Sequence, residues 1–191
     1  MNKVIISFTQ ILFTRLFRLS HAYTWQVNGG IPTIDPQKTY VFISNHQSRI
    51  DPFVIFACMD LHSNIKAAPV KFMTAKSIYY GFFRPLLFCL GCFPTYVRNQ
   101  NIIDYSAQLV KNGYGLFIFP EGRRTLKEHS SPKDGILRII DQLDRKDVEY
   151  VLAYIDWTKP SWRRHATIKF GSARSIDHES ASLLMKQIYS L

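Results

Sequence analysis

The segment Thr39-Tyr40-Val41-Phe42-Ile43-Ser44 constrains the fold more than any other part of this chain. Its β-branched and aromatic side chains follow one another with no polar face for water, as in a strand buried on both sides of a sheet. Leu116 to Phe119 repeats the pattern, and Tyr150 to Ile155 and Thr167 to Phe170 also read as strands. Helical patterns lie between them. Phe53 to about Cys58 follows Asp51-Pro52, with Asp51 expected as N-cap and Pro52 at the first helical position. Asn101 to Asn112 is stopped by Gly113-Tyr114-Gly115, and Gly135 to Leu143 and Ser180 to Tyr189 read as further helices. The alternation predicts an α/β fold: a single layered domain with a mixed central sheet flanked by helices, assigned to residues 35–191.

Two apolar stretches do not belong to this alternation. From Met1 to Ser20, Lys3, Ser7, Gln10, Thr14 and Arg18 recur at helical spacing, while Val4, Ile5, Phe8, Ile11, Leu12, Leu16 and Leu19 fill the other positions. The pattern is a helix with a broad apolar face and a narrow polar stripe. A signal peptide is the competing reading, but Gln10 and Arg15 interrupt the apolar run and no small-x-small cleavage site follows. Residues 1–22 are therefore expected to form an N-terminal amphipathic helix at a membrane interface, unless its apolar face packs on the domain's own core. The second stretch, Ile78 to Val97, is long enough to span a bilayer but is broken by Gly81, Arg84, Pro85, Gly91 and Pro94. A helix-loop-strand segment forming a greasy surface or pocket wall fits better than a spanning helix.

Charge distinguishes between possible partners. The 24 Lys and Arg exceed the 14 Asp and Glu, a formal net charge of +10, so an anionic partner is expected. Residues 1–34 and 61–103 contain no acid, and these are the apolar stretches. Sparse positive charge among large apolar groups suits an anionic lipid surface, whereas nucleic-acid binding favours dense Lys/Arg clusters on a polar background. No nucleic-acid partner is expected. The cysteines, Cys58, Cys89 and Cys92, make neither a disulfide framework nor a complete metal site, so the Cys-x-x-Cys at 89–92 is read as buried structure.

The turn after the first strand carries the chemistry. In Asn45-His46-Gln47-Ser48-Arg49-Ile50-Asp51, a tight turn can bring imidazole and carboxylate together. The carboxylate would hold one ring N–H, leaving the other nitrogen to take a proton from a hydroxyl. No Gly-x-Ser-x-Gly elbow supplies a protein nucleophile, so that hydroxyl could be the substrate's own. At the end of the second strand stands Phe119-Pro120-Glu121-Gly122-Arg123-Arg124-Thr125, in which Gly permits close approach and guanidinium groups suit phosphate oxygens. Each segment alone is also compatible with an ordinary turn.

Together, and in this order, the two segments resemble the Asn-His-x4-Asp and Phe-Pro-Glu-Gly-Thr-Arg-Ser motifs of the glycerolipid (lysophosphatidate-type, PlsC-like) acyltransferases. The resemblance covers roughly Thr39 to Ile155. It implies His46 as general base, Asp51 as its orienting partner, and Glu121, Gly122 and Arg124 as binders of the acceptor's phosphate. Gly91 to Arg98 resembles a further block whose Arg contacts the acceptor, although the Gly-to-Arg spacing is one residue longer. Lys76 resembles a lysine common in that region. Arg123 stands where Thr is usual, Lys133-Asp134-Gly135 follows Pro132 instead of an aromatic, and Val151-Leu152-Ala153 lacks the family's proline.

The implied reaction moves a fatty acyl group from acyl-CoA or acyl carrier protein to the hydroxyl of a lysophospholipid, 1-acylglycerol-3-phosphate giving phosphatidate. It needs no metal and no resident cofactor. The site is expected at the cytoplasmic face of a membrane. The rival readings are a non-catalytic member that binds anionic lipid through the same surface, and a nucleic-acid-binding domain.

Overall fold

The computed structural model describes residues 2–19, 23–59, 65, 67, 69–97, 100–124, 132–143, 147–158, 164–176 and 180–191. Within them the elements are α1 (Lys3–Leu19), β1 (Tyr23–Asn28), β2 (Thr39–Ser44), α2 (Asp51–Cys58), β3 (Val70–Thr74), α3 (Lys76–Tyr79) and α4 (Arg84–Cys89). They continue as β4 (Cys92–Pro94), α5 (Ile102–Lys111), β5 (Gly115–Ile118), α6 (Gly135–Ile140), β6 (Val148–Thr158), β7 (Arg164–Phe170) and α7 (Ala181–Tyr189).

The strands make one seven-stranded sheet in the order β1-β7-β6-β2-β5-β3-β4. From β4 to β6 every pairing is parallel; β7 runs antiparallel to β6 and β1 parallel to β7. The sheet is mixed, as the sequence implied. Strand β2 lies in its middle, and alternate residues serve opposite layers. Tyr40 and Phe42 join Phe72, Phe117, Val151 and Ile155 beneath Val54 and Ile55 of α2. Val41 and Ile43 join Leu116, Ile118 and Leu152 beneath Val110 of α5, Ile136 of α6 and Leu184 and Ile188 of α7. Burial on both faces accounts for the unbroken apolar run; each such side chain contributes about 1.5–3 kcal/mol.

β1 and β3 are strands beyond those expected from the sequence. Both alternate in the sense of a strand, but their polar residues (Thr24 and Gln26, Lys71) dilute the apolar signal. The broken stretch Ile78 to Val97 holds two short helices and β4, separated by turns. Gly91 is left-handed there, with φ +83°, and a Cβ would stand 2.7 Å from the carbonyl oxygen of Val70 and 2.9 Å from Nε2 of Gln10.

That contact explains how α1 is mounted. Its buried residues are Ile6, Gln10 and Thr14. The Gln10 amide pairs with the backbone of Val70, accepting from its N–H and donating to its carbonyl, and also donates to Leu90 O. Thr14 donates back to Gln10 O. Phe13 and Phe17 pack on the core, yet Val4, Ile5, Phe8, Leu12, Leu16 and Leu19 are exposed. Part of the polar stripe faces inward and much of the apolar face outward. No helix among the described residues is long and apolar enough to cross a membrane.

Candidate active site

The carboxyl ends of β2, β3, β5 and β6 lie side by side, the position at which open α/β sheets form clefts. The register of β2 with β6 ends at Ser44 and Ala153, but the pairing continues through side chains. Asn45, buried, donates from Nδ2 to Ile155 O and accepts from Ile155 N at Oδ1, both at 2.8 Å. Gln47 Oε1 then accepts from Trp157 N at 3.1 Å. With these amides in place of the backbone, the main chain is free to turn.

The turn closes around Asp51. The backbone N–H groups of Gln47 and Ser48 each donate to its Oδ2 at 2.6 Å, and His46 Nδ1 lies 3.0 Å from the same oxygen. Trp157 Nε1 donates to Oδ1 at 2.7 Å. Asp51 is 0% exposed, so these donors replace water for a buried carboxylate. An ionised carboxylate is acceptor only, which places the hydrogen on Nδ1 of His46 and leaves Nε2 as the proton acceptor. Among the described residues Nε2 has no hydrogen-bond partner. The expectation of Asp51 as N-cap needs correction: Ile50 precedes the helix, Asp51 is its first residue, and it makes no side-chain capping bond. Its oxygens already serve the preceding turn and Trp157.

The second motif supports the first. Phe119 stacks on the His46 ring with centroids 4.0 Å apart and 20° between planes. Glu121 is 2% exposed; its Oε2 accepts from His46 N at 3.3 Å and its Oε1 from Tyr189 Oη of α7 at 2.7 Å. Gly122 has φ +64°, the left-handed conformation that carries the chain out of the turn. The Glu121 carboxylate thus faces the backbone of the turn that bears His46, while Arg123 and Arg124 extend from their own turn and are exposed.

His46 borders a pocket of about 330 Å³, at the small end of the range for ligand sites. Phe53, Phe72, Phe117 and Leu87 form its apolar part; Arg49, Arg123 and Arg124 form its cationic part. Cys92 lies on the wall, and burial pushes its thiol up to about 11, partly opposed by a hydrogen bond with Thr74. Burial also raises Cys58. Neither thiol is poised as a nucleophile at neutral pH.

Of the residues implied by resemblance, His46, Asp51, Glu121, Gly122 and Arg124 therefore come together. Arg98 and Thr125 lie outside the described residues. Lys76 begins α3, with Nζ 5.2 Å from the centroid of the Tyr96 ring. Arg49, Gln47, Trp157 and Tyr189 also reach this site, and the motif resemblance assigns them no role. Arg49 and Gln47 sit inside the first motif, so position alone could have flagged them; nothing local marks Trp157 or Tyr189. Among the described residues no group of three or more His, Cys, Asp or Glu is arranged to hold a metal ion.

The model of the Acyltransferase family matches residues 27–152. The chain is similar to a probable 1-acyl-sn-glycerol-3-phosphate acyltransferase of Mycoplasma pneumoniae, with 19% identity over 141 residues, covering 68% of this chain and 52% of that protein. It thus spans about half the length of that curated relative. The crystal structure of the 1-acyl-sn-glycerophosphate (LPA) acyltransferase PlsC from Thermotoga maritima has the same fold: TM-score 0.65 at 17% identity, over 95% of this chain and 74% of that one.

Proposed function

The chain belongs to the acyltransferase family, and we propose on that ground that it transfers a fatty acyl group from acyl-CoA or acyl carrier protein to the hydroxyl of a lysophospholipid, with 1-acylglycerol-3-phosphate as acceptor and phosphatidate as product. One observation carries the reading: a histidine oriented by a buried carboxylate stands where an apolar pocket meets three arginines. Both similar proteins are named for a 1-acylglycerophosphate acceptor, and the arginines suit its phosphate.

The acyl chain lies in the apolar part with its thioester carbonyl beside His46. Arg49, Arg123 and Arg124 hold the acceptor's phosphate, joined by Arg98, and bring its hydroxyl within hydrogen-bond reach of Nε2. His46 takes the hydroxyl proton as the oxygen bonds to the carbonyl carbon; Asp51 stays ionised and stabilises the imidazolium. The tetrahedral intermediate collapses, the carbon–sulfur bond breaks, and the departing thiolate receives the proton from His46. Fixing two substrates in one geometry supplies much of the rate. Glu121 and Gly122 contribute by holding the turn that carries the arginines against the one that carries His46. The scheme calls for no metal or resident cofactor.

The outward apolar face of α1 and the exposed Phe82, Phe83, Leu86 and Phe88 form the surface that meets the membrane. The acid-free composition of both stretches suits anionic headgroups. Both substrates carry hydrocarbon chains, so an interfacial enzyme works where they are concentrated. The cytoplasmic face is the side on which acyl thioesters are made.

The test is acyl transfer by the purified, detergent-solubilised chain from palmitoyl-CoA and from palmitoyl carrier protein to a panel of lysolipids. Product with wild type should fall about 10²–10⁴-fold in His46→Ala, the range lost with a general base. Equal product from His46→Ala would remove the histidine from the mechanism. No product with any pair, from a protein that still bound anionic vesicles, would favour the lipid-binding reading.

A further inference from the structure

The geometry points to Trp157 as a positioning residue for the catalytic pair: its indole N–H fixes one oxygen of Asp51 and so keeps the other aligned on Nδ1 of His46. Trp157 lies beyond the segment matched by the family model, residues 27–152. The inference rests on the acyltransferase reading of His46 and Asp51.

The two oxygens of Asp51 are held differently. Oδ2 receives three donors, Gln47 N, Ser48 N and His46 Nδ1, all from its own turn. Among the described residues Oδ1 has Trp157 Nε1 as its donor, at 2.7 Å, from a different element. The turn alone therefore fixes one end of the carboxylate, and β6 fixes the other. Without the second anchor the group can rotate and exchange its oxygens. An orphaned, fully buried oxygen is also unfavourable enough to drive such a change.

The anchor is itself held. Trp157 N donates to Gln47 Oε1, and Gln47 N donates to Asp51 Oδ2. Gln47 and Trp157 thus clasp each other through the carboxylate and through the strand, two residues beyond the Asn45–Ile155 clasp. Residues 155 and 157 share a side of β6, as alternate positions of a strand must. A tryptophan serving only to fill volume would not need its N–H aimed at a buried carboxylate. The aromatic ring packs against the core; the N–H performs a separate task that can be removed with part of the ring retained.

Trp157→Phe removes the donor. Trp157→His restores a ring N–H at the equivalent ring position. In the full-length chain in detergent, Trp157→Phe should lower kcat about tenfold to a hundredfold, the scale of a small misplacement of a catalytic group, with KM for both substrates within about twofold. Trp157→His should recover most of that loss. Nitrogen-15 NMR of histidine-labelled protein, with His46 identified by the signal missing from His46→Ala, should show the Nδ1–H tautomer in wild type and a shift toward Nε2–H in Trp157→Phe. Wild-type kcat and tautomer in Trp157→Phe would overturn the inference, as would equal losses in the two variants with the tautomer unchanged. If Trp157→Phe does not fold, a folded Trp157→His that loses both rate and tautomer also overturns it, and one that keeps both supports it. Should wild type transfer no acyl group, the functional reading falls, and the tautomer still decides the role of Trp157.

Discussion

Helices α1 and α7 have the same kind of sequence, apolar residues on one side and polar on the other, and the fold mounts them in opposite senses. Helix α7 turns Ala181, Leu184, Met185 and Ile188 inward and leaves Lys186 outside. Helix α1 turns Ile6, Gln10 and Thr14 inward and leaves Phe8, Leu12 and Leu16 outside. Each is pinned by a polar group: Tyr189 of α7 to Glu121, Gln10 of α1 to Val70 and Leu90. Amphipathic spacing establishes that a helix has an apolar face; it does not establish what that face meets. Where the polar side is satisfied by buried backbone, the apolar side is left exposed.

The largest contrast is expected in the interior. Leu184→Ala should destabilise the protein by about 2–5 kcal/mol, the range for an aliphatic side chain deleted from a packed core, as a lowered midpoint in urea. Gln10→Ala should cost about 1–3 kcal/mol, because it strands the N–H and C=O of Val70 and the C=O of Leu90 beneath α1. If Gln10→Ala proves neutral, the helix is held by Phe13 and Phe17 instead, and the inverted mounting is a matter of packing.

Phe8→Ser should separate the two helices by phase. Phe8 is 67% exposed, so folding stability in detergent should change by less than about 0.5 kcal/mol. Binding to vesicles of phosphatidylcholine and phosphatidylglycerol should weaken about tenfold, the loss expected when one aromatic side chain no longer enters hydrocarbon. Lowered stability with unchanged vesicle binding would mean that this face packs on protein, as α7 does.

The sequence disclosed most where structure is local. The strand-turn-helix around His46 and Asp51 is contiguous, and the buried β2 and β5 need no partner to be recognised. Asn101 and Ser180 cap α5 and α7 with bonds to Ile103 N and Leu183 N, the short-range pattern that marks a helix start. What stayed hidden depends on register. Asn45 reaches Ile155, Asp51 reaches Trp157 and Glu121 reaches Tyr189 across intervals that no spacing rule covers. The capping role expected of Asp51 was sound as local chemistry; the donors converging from the turn and from β6 outcompeted it. The inward mounting of the polar side of α1 was hidden for a similar reason, since Gln10 can turn inward only because Gly91 leaves room for its amide beside Val70.

Tyr189→Phe gives the smallest expected effect and tests whether α7 does more than cover the sheet. Its hydroxyl donates to Glu121 Oε1, and Glu121 Oε2 accepts from the backbone N–H of His46. Losing the phenol removes one donor from a buried carboxylate, with a net cost of about 1 kcal/mol. Glu121 then has more freedom to swing, and the turn bearing His46 loses part of its support. A fall in kcat of a few-fold, with KM unchanged, would show that the C-terminal helix helps to set the base. A loss of stability with kcat intact would make Tyr189 a packing residue like Leu184, and would leave β6, through Asn45 and Trp157, as the frame on which the turn bearing His46 is built.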